Sequence, residues 1–272
     1  MLEKSYLMES DEETLRLDMK TDSSIVKRQA LWAGLKPGMR VADLGFGSGK
    51  TTYCLNELVQ PSGMVVGLDI SEDRIKYAEN KYYDSKINYL CRDICEPLDD
   101  LGQFDFVWVR FVLEYYRSTS FKIVENISRI LKPGGILCLI DLDHNCLNHF
   151  GLSPRLEKTI FKITGFLESK LDFDPYIGRK LYSFLFDLDF ENIEVDLAAH
   201  HLIYGHLEKT DAFNWGKKFE VAVKNSGYTF SEYEGKAEVF FEDFMLFFED
   251  RRRFSYTPVI SCRGQKPLNP SV

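Results

Sequence analysis

The stretch Val41-Ala42-Asp43-Leu44-Gly45-Phe46-Gly47-Ser48-Gly49 sets three alternate glycines directly after a short apolar run. Glycine lets a backbone turn sharply and lets a ligand lie against the main chain. The N–H groups at the start of a following helix can then meet a polar ligand group. Three ligand classes use such loops, and spacing separates them. A dinucleotide fingerprint is G-x-G-x-x-G, whereas here the third glycine comes one residue early. A phosphate loop is G-x-x-x-x-G-K-S/T. Gly49-Lys50-Thr51 imitates its end, and Leu139-Ile140-Asp141 imitates its metal-binding strand, but Leu44 stands where the first glycine is needed. Asp43 also puts a carboxylate where phosphates would be repelled. What remains is a loop preceded by an acid, which suits a cationic nucleoside bearing an amino acid. Asp69 ends the run Val65-Val66-Gly67-Leu68-Asp69, twenty residues after Gly49. An acid at that strand tip is placed to accept both ribose hydroxyls.

These residues resemble the first motif and the ribose-binding acid of the class I S-adenosylmethionine-dependent methyltransferases. Further matches follow in order: Asp93-Ile94 after the third strand, Phe104-Asp105-Phe106-Val107, and Leu131-Lys132-Pro133-Gly134-Gly135. Arg110-Phe111-Val112-Leu113-Glu114 resembles the fourth-strand exit of the ubiquinone/menaquinone C-methyltransferase-like branch. The resemblance covers residues 25–142 and weakens beyond 143. It implies S-adenosyl-L-methionine as cofactor, held by Asp43, Gly45, Phe46, Gly47, Gly49 and Thr51 in the loop and helix start. Asp69 and Ile70 would hold the ribose, Asp93 and Ile94 would flank the adenine, and Arg110 would sit at the fourth-strand exit. Many relatives carry a smaller residue where Phe46 stands, so its bulk is expected to narrow the methionine end. Tyr6, from the N-terminal segment, is expected to cover that end. No Asn/Asp-Pro-Pro-Tyr motif follows the fourth strand, which disfavours adenine and glutamine-amide acceptors by resemblance.

A sulfonium methyl donor is already activated, so the transfer asks for in-line alignment more than for an acid or base. A hydroxyl or weakly acidic carbon acceptor would still gain from a base. Candidates at the carboxyl ends of the strands are Tyr115 and Tyr116, His144 and His149, and His200 and His201. His144 follows its strand tip by two residues and leads them, with Tyr116 as the second choice. No metal site is expected; Cys91 and Cys95 have a spacing that matches zinc sites poorly.

The elements that must position these groups alternate. Strands are predicted at residues 40–44, 64–70, 87–91, 104–109 and 136–142, and helices at 51–58, 72–81 and 121–131. Short apolar strands alternating with helices imply crossover units. The expected fold is α/β and Rossmann-like: a doubly wound, mostly parallel sheet with helices on both faces and helical lid insertions. Two helices, over 9–19 and 23–34, precede it. Beyond 143, residues 144–173 read as largely helical, with a helix from Pro175 to Leu188, a strand at 192–197, helices over 208–224 and 231–250, and a final strand at 256–262. The organisation is one domain over 1–272, with a cofactor core at 25–142 and lid or acceptor-site segments at 1–24, 143–173 and 205–250. The stripe Phe240, Phe241, Phe244, Phe247 and Phe248 falls at helical spacing and reads as core.

The bulk numbers bound the partners. Across 272 residues the net charge is −8, which argues against binding along a phosphate backbone. Arg251-Arg252-Arg253 reads as a charge complement to a helix end. No apolar run is long enough to span a membrane. The six cysteines follow no signal peptide and are read as free thiols of a cytoplasmic protein. The acceptor is expected to be a small molecule, and a homodimer is left open. An NAD-type oxidoreductase and a non-catalytic nucleoside-binding module are the competing readings. The first lacks its glycine spacing; the second has to retain both the loop and Asp69 without using them for catalysis.

Overall fold

The computed structural model describes residues 11–268, and Tyr6 lies outside them. Five strands form the parallel core: β1 (Arg40–Leu44), β2 (Met64–Asp69), β3 (Ile87–Cys91), β4 (Phe104–Arg110) and β5 (Leu131–Leu142); all but the edge strand β3 are largely buried, as strands covered by helices on both faces are. They run parallel in the order β3-β2-β1-β4-β5. Side chains alternate between the two faces. Val41, Val65, Phe106, Trp108 and Cys138 pack on α2 (Ser23–Trp32) and α3 (Lys50–Val59) through Val26, Ala30, Leu55 and Val59. Ala42, Leu68, Val107, Val109 and Leu139 pack on the opposite layer. There α5 (Ser120–Arg129) supplies Ile123, Val124 and Ile127, and α7 (Leu181–Asp187) supplies Leu181 and Leu185. The fourth helix, α4 (Glu72–Lys81), joins β2 to β3.

Two long strands complete the sheet. β7 (Glu191–Tyr204) and β8 (Phe254–Gln265) pair antiparallel, and β8 lies between β5 and β7. A two-residue strand, β6 (His149–Phe150), pairs with the start of β8 beyond the end of β5. The sheet is therefore mostly parallel with one antiparallel strand, as the alternating pattern implied. Among the described residues no helix is long and apolar enough to cross a membrane.

The additional helices are α1 (Asp11–Lys20), α6 (Pro154–Lys170), α8 (Lys209–Ser226) and α9 (Ala237–Glu249). Residues 144–153 are not helical as predicted. His144 and Cys146 adopt left-handed backbone, at φ 49° and 67°, and α6 starts only where the Ser153 hydroxyl caps it, accepting from Leu156 N–H at 3.2 Å. The predicted helix at 231–250 begins at Ala237, because Phe230, Glu234 and Gly235 all take positive φ. β7 runs well past the predicted 192–197, so His200 and His201 lie within the strand rather than after it. The phenylalanine stripe is core: Phe240, Phe244 and Phe248 are fully buried and pack with Leu156, Ile160 and Trp215.

Candidate active site

The sheet order reverses between β1 and β4, and open α/β sheets bind ligands at the carboxyl ends of such a switch point. The glycine loop leaves β1 there. Gly45 and Phe46 donate their N–H groups to the Leu68 carbonyl, at 2.7 and 3.2 Å, which ties the loop to the end of β2. Gly47 N–H donates to Asp69 Oδ2 at 2.9 Å. Asp69 Oδ1 accepts from Ser71 N–H at 3.1 Å and lies 3.6 Å from Arg74 Nη1. This buried carboxylate is thus fixed by the loop it faces.

A cleft runs from this loop to the middle and second half of α6 (Pro154–Lys170). Asp43, Gly45, Phe46, Gly47, Thr51, Asp69, Ile70, Asp93, Ile94 and Arg110 line it, so most of the residues singled out for the cofactor are brought together. Gly49 is not among them. It sits at φ 86° as the cap of α3, and a Cβ there would meet Ala78 Cβ at 2.5 Å. Its role in this structure is to let α3 approach α4. Phe46 packs its ring edge-on against Tyr89, at 5.1 Å between centroids, in a cluster with Ile75 and Ala78. Its side chain thus contributes both to the cleft wall and to the packing beneath the loop.

Asp43 is almost fully buried and accepts from Thr52 Oγ1 at 2.7 Å. Burial pushes its carboxyl up to about 7, against the opposing pull of Thr52 and Arg110. Burial likewise brings the Arg110 guanidinium down to about 10, despite Asp43 and Asp141 nearby. Arg110 Nε donates to Gln29 Oε1 at 3.3 Å, and the guanidinium lies 4.0 Å over the Phe111 ring.

The N-terminal helix covers this half of the cleft. Arg16, Leu17 and Lys20 of α1 line it, and a Cβ on Gly47 would come within 3.2 Å of Leu17 Cδ1. Asp18 fastens the helix to α4 and the residue after it. It accepts from Lys81 Nζ at 2.7 Å and from the Tyr82 hydroxyl, while its carbonyl accepts from Lys50 Nζ at 3.0 Å.

The other half of the cleft is apolar. Ile160, Ile163, Thr164 and Leu167 of α6 face it with Phe111, Tyr115, Tyr116 and Phe173. Segment 143–173 therefore does line the pocket. From 205–250, no described residue lines it; α8 and α9 buttress α6 from behind. Tyr116 and Tyr115 lie in the wall, as does His200, whose ring is 5.2 Å from Phe111. His144 does not: its left-handed backbone turns it onto Tyr176, ring centroids 5.2 Å apart. His149 is held by Ser255 and Cys146 among Trp215, Phe244 and Phe247. His201 lies 4.0 Å from Asp211, outside the cleft wall.

Sequence reasoning missed Glu114 and Asn145, which also line the cleft, and Asp141 behind them. One signal was present. Asp141 is an acid inside the otherwise apolar run 136–142, and a buried acid needs a reason.

A methyltransferase-domain family profile matches residues 42–139. A demethylmenaquinone methyltransferase from Staphylococcus carnosus is 31% identical over 197 residues, 65% of this chain and 80% of that protein. A ubiquinone/menaquinone biosynthesis C-methyltransferase from Shewanella sediminis is 31% identical over 114 residues, 40% of this chain and 45% of that protein. Among solved structures, a phosphoethanolamine N-methyltransferase from Haemonchus contortus, in complex with S-adenosyl-L-methionine, superposes with TM-score 0.57 at 17% identity, covering 95% of this chain and 57% of that one. A cyclopropane synthase from Mycobacterium tuberculosis gives TM-score 0.53 at 14% identity, covering 89% and 83%. At such identities the structural likeness speaks for the fold.

Proposed function

The chain belongs to the class I S-adenosylmethionine-dependent methyltransferases, and from that premise we propose that its acceptor is an apolar, ring-bearing small molecule. The observation that carries this reading is the continuity of the cleft. The acid-and-glycine half opens directly into a pocket walled by Ile160, Ile163, Leu167, Phe173, Tyr115 and Tyr116. Apolar and aromatic walls with a few polar groups suit a hydrophobic ring. The names of the Staphylococcus and Shewanella relatives point to quinone-type acceptors, which fit the same description.

The residues present fit the nucleoside. Asp69 stands at the β2 tip with its carboxylate set by two backbone amides, Ile94 gives a buried apolar flank, and Asp43 and Arg110 line the same cleft. An acid there suits a cation. When bound, S-adenosyl-L-methionine supplies a methyl group already activated as a sulfonium. The protein's part is to hold and align: Asp69 to grip the ribose, Asp43 to balance positive charge, and α1 to keep water out. Tyr115 and Tyr116 position the acceptor ring from the α6 side. Holding two reactants in attacking geometry is worth about 7–11 kcal/mol of barrier, so orientation suffices for most of the rate. His144, which faces Tyr176, has no part in this scheme.

The test is a methyl-transfer assay with hydroxylated naphthalene and benzene rings, set against glycine and phosphoethanolamine. Formation of S-adenosylhomocysteine with the ring compounds alone is expected. Equal turnover of the polar amines would contradict the proposal.

A further inference from the structure

Glu114 and Asp141 form a buried pair of acids, one in the short helical turn after β4 and the other near the end of β5. Glu114 is only 4% exposed yet lines the pocket beside Tyr115, Tyr116 and Asn145. Its position is set from three directions. Its carboxylate Oε2 accepts from Asn145 Nδ2 at 2.6 Å, its carbonyl accepts from Asp174 N–H at 2.7 Å, and its own N–H donates to Asp141 Oδ2 at 3.3 Å. Asp141 lies behind the wall, 1% exposed, with Oδ1 accepting from Leu142 N–H at 2.9 Å.

Resting on the methyl-transfer reading above, we propose that Glu114 is the base that takes the acceptor's proton and that Asn145 positions its carboxylate. The neutral amide of Asn145 fixes the carboxylate without the strong loss of basicity that an ion pair brings. Burial, with Glu114 alongside, holds Asp141 well above the usual carboxylate range. Of the two acids, Glu114 is the one that faces the pocket. In the reaction, a ring hydroxyl of the acceptor gives its proton to Glu114. The electron pair released, at that oxygen or at the ring carbon next to it, forms the bond to the methyl carbon. The methyl–sulfur bond breaks with its electrons remaining on sulfur. Where carbon is methylated, the ring proton it displaces passes to solvent and Glu114 gives its proton back to the ring oxygen; where oxygen is methylated, Glu114 releases its proton to solvent. Asp141 lies behind Glu114 and Asp174 bonds its carbonyl, while Tyr115, Tyr116, Arg110 and His200 share the pocket wall with it.

Two variants test this. Glu114→Gln should lower kcat by roughly 10²–10⁴-fold and abolish the acid limb of the kcat–pH profile at saturating S-adenosyl-L-methionine. S-Adenosylhomocysteine affinity, measured by calorimetry, and the melting temperature should stay near the wild type. Asn145→Asp places a like charge beside Glu114, so the acid limb should move up by about one pH unit or more. The proposal is overturned if Glu114→Gln keeps the wild-type kcat and acid limb. It is equally overturned if the limb follows Tyr116→Phe or His200→Gln instead. A tenfold loss of S-adenosylhomocysteine affinity in Glu114→Gln would make Glu114 a cofactor-binding acid and also overturn it. Wild-type protein that fails to bind S-adenosylhomocysteine would instead remove the reading beneath the proposal.

Discussion

At the scale of single residues, Asp69 and Asp43 do different work with the same functional group. Asp69 is amply partnered, by the Gly47 and Ser71 amides and with Arg74 alongside. Replacing Asp69 with Ala leaves those donors and the bound ribose unmatched, at about 1–3 kcal/mol. S-Adenosylhomocysteine affinity should fall by roughly tenfold or more, and unchanged affinity in titration calorimetry would remove Asp69 from the ribose site. Asp43 has the opposite problem, since burial lifts its carboxyl to about 7. A raised folded value means its contribution to stability is full below about 4, the ordinary carboxylate value. The contribution shrinks as pH rises and is gone above about 7. The empty protein should therefore lose melting temperature over that window. A cationic ligand favours the carboxylate, so binding below pH 7 should expel a proton and tighten as pH rises. Calorimetry of S-adenosyl-L-methionine in buffers of different ionisation enthalpy reads this directly. Proton uptake, or no dependence on buffer, would go against it.

At the scale of elements, the cleft is sealed by α1 from one side and α6 from the other. Asp18 holds α1 down through Lys81, Tyr82 and, by its carbonyl, Lys50. Asp18→Ala removes the side-chain contacts and should weaken S-adenosylhomocysteine binding roughly threefold to tenfold, at about 0.5–1.5 kcal/mol for the hydrogen bonds lost. The core should melt as before, because the sheet lies elsewhere. Wild-type affinity in that variant would mean that α1 does not act as a lid. The loop and Asp69 were legible in the sequence because glycine spacing and an acid at a strand tip are local signals. The parallel core was legible because strands covered on both faces are written as apolar runs. β7 was only half legible: most of its residues are exposed, so no alternation marks its later half, and its length follows from pairing with β8. The Glu114–Asn145–Asp141 cluster was not legible, because it joins a strand exit, a loop and a strand end that meet only in the fold. His144 failed for a local reason, a positive φ that turns it from the strand tip it follows.

At the scale of the whole molecule, the sheet places every proposed ligand group on one rim. β1 and β4 diverge at the switch point and supply Asp43, Gly45 and Arg110, while β2 and the turn after β3 supply Asp69, Asp93 and Ile94. The helices beyond β5 form their own core and set the α6 wall over that rim. The sheet alone does not choose the chemistry, since the same architecture carries a cyclopropane synthase and an N-methyltransferase. What chooses is the loop with its acids. Titration calorimetry with S-adenosylhomocysteine and with NAD, on wild-type protein, tests that choice most directly. The account predicts saturable one-to-one binding of S-adenosylhomocysteine, lost or weakened in Asp69→Ala, and no heat from NAD. Binding of NAD with none of S-adenosylhomocysteine would contradict it.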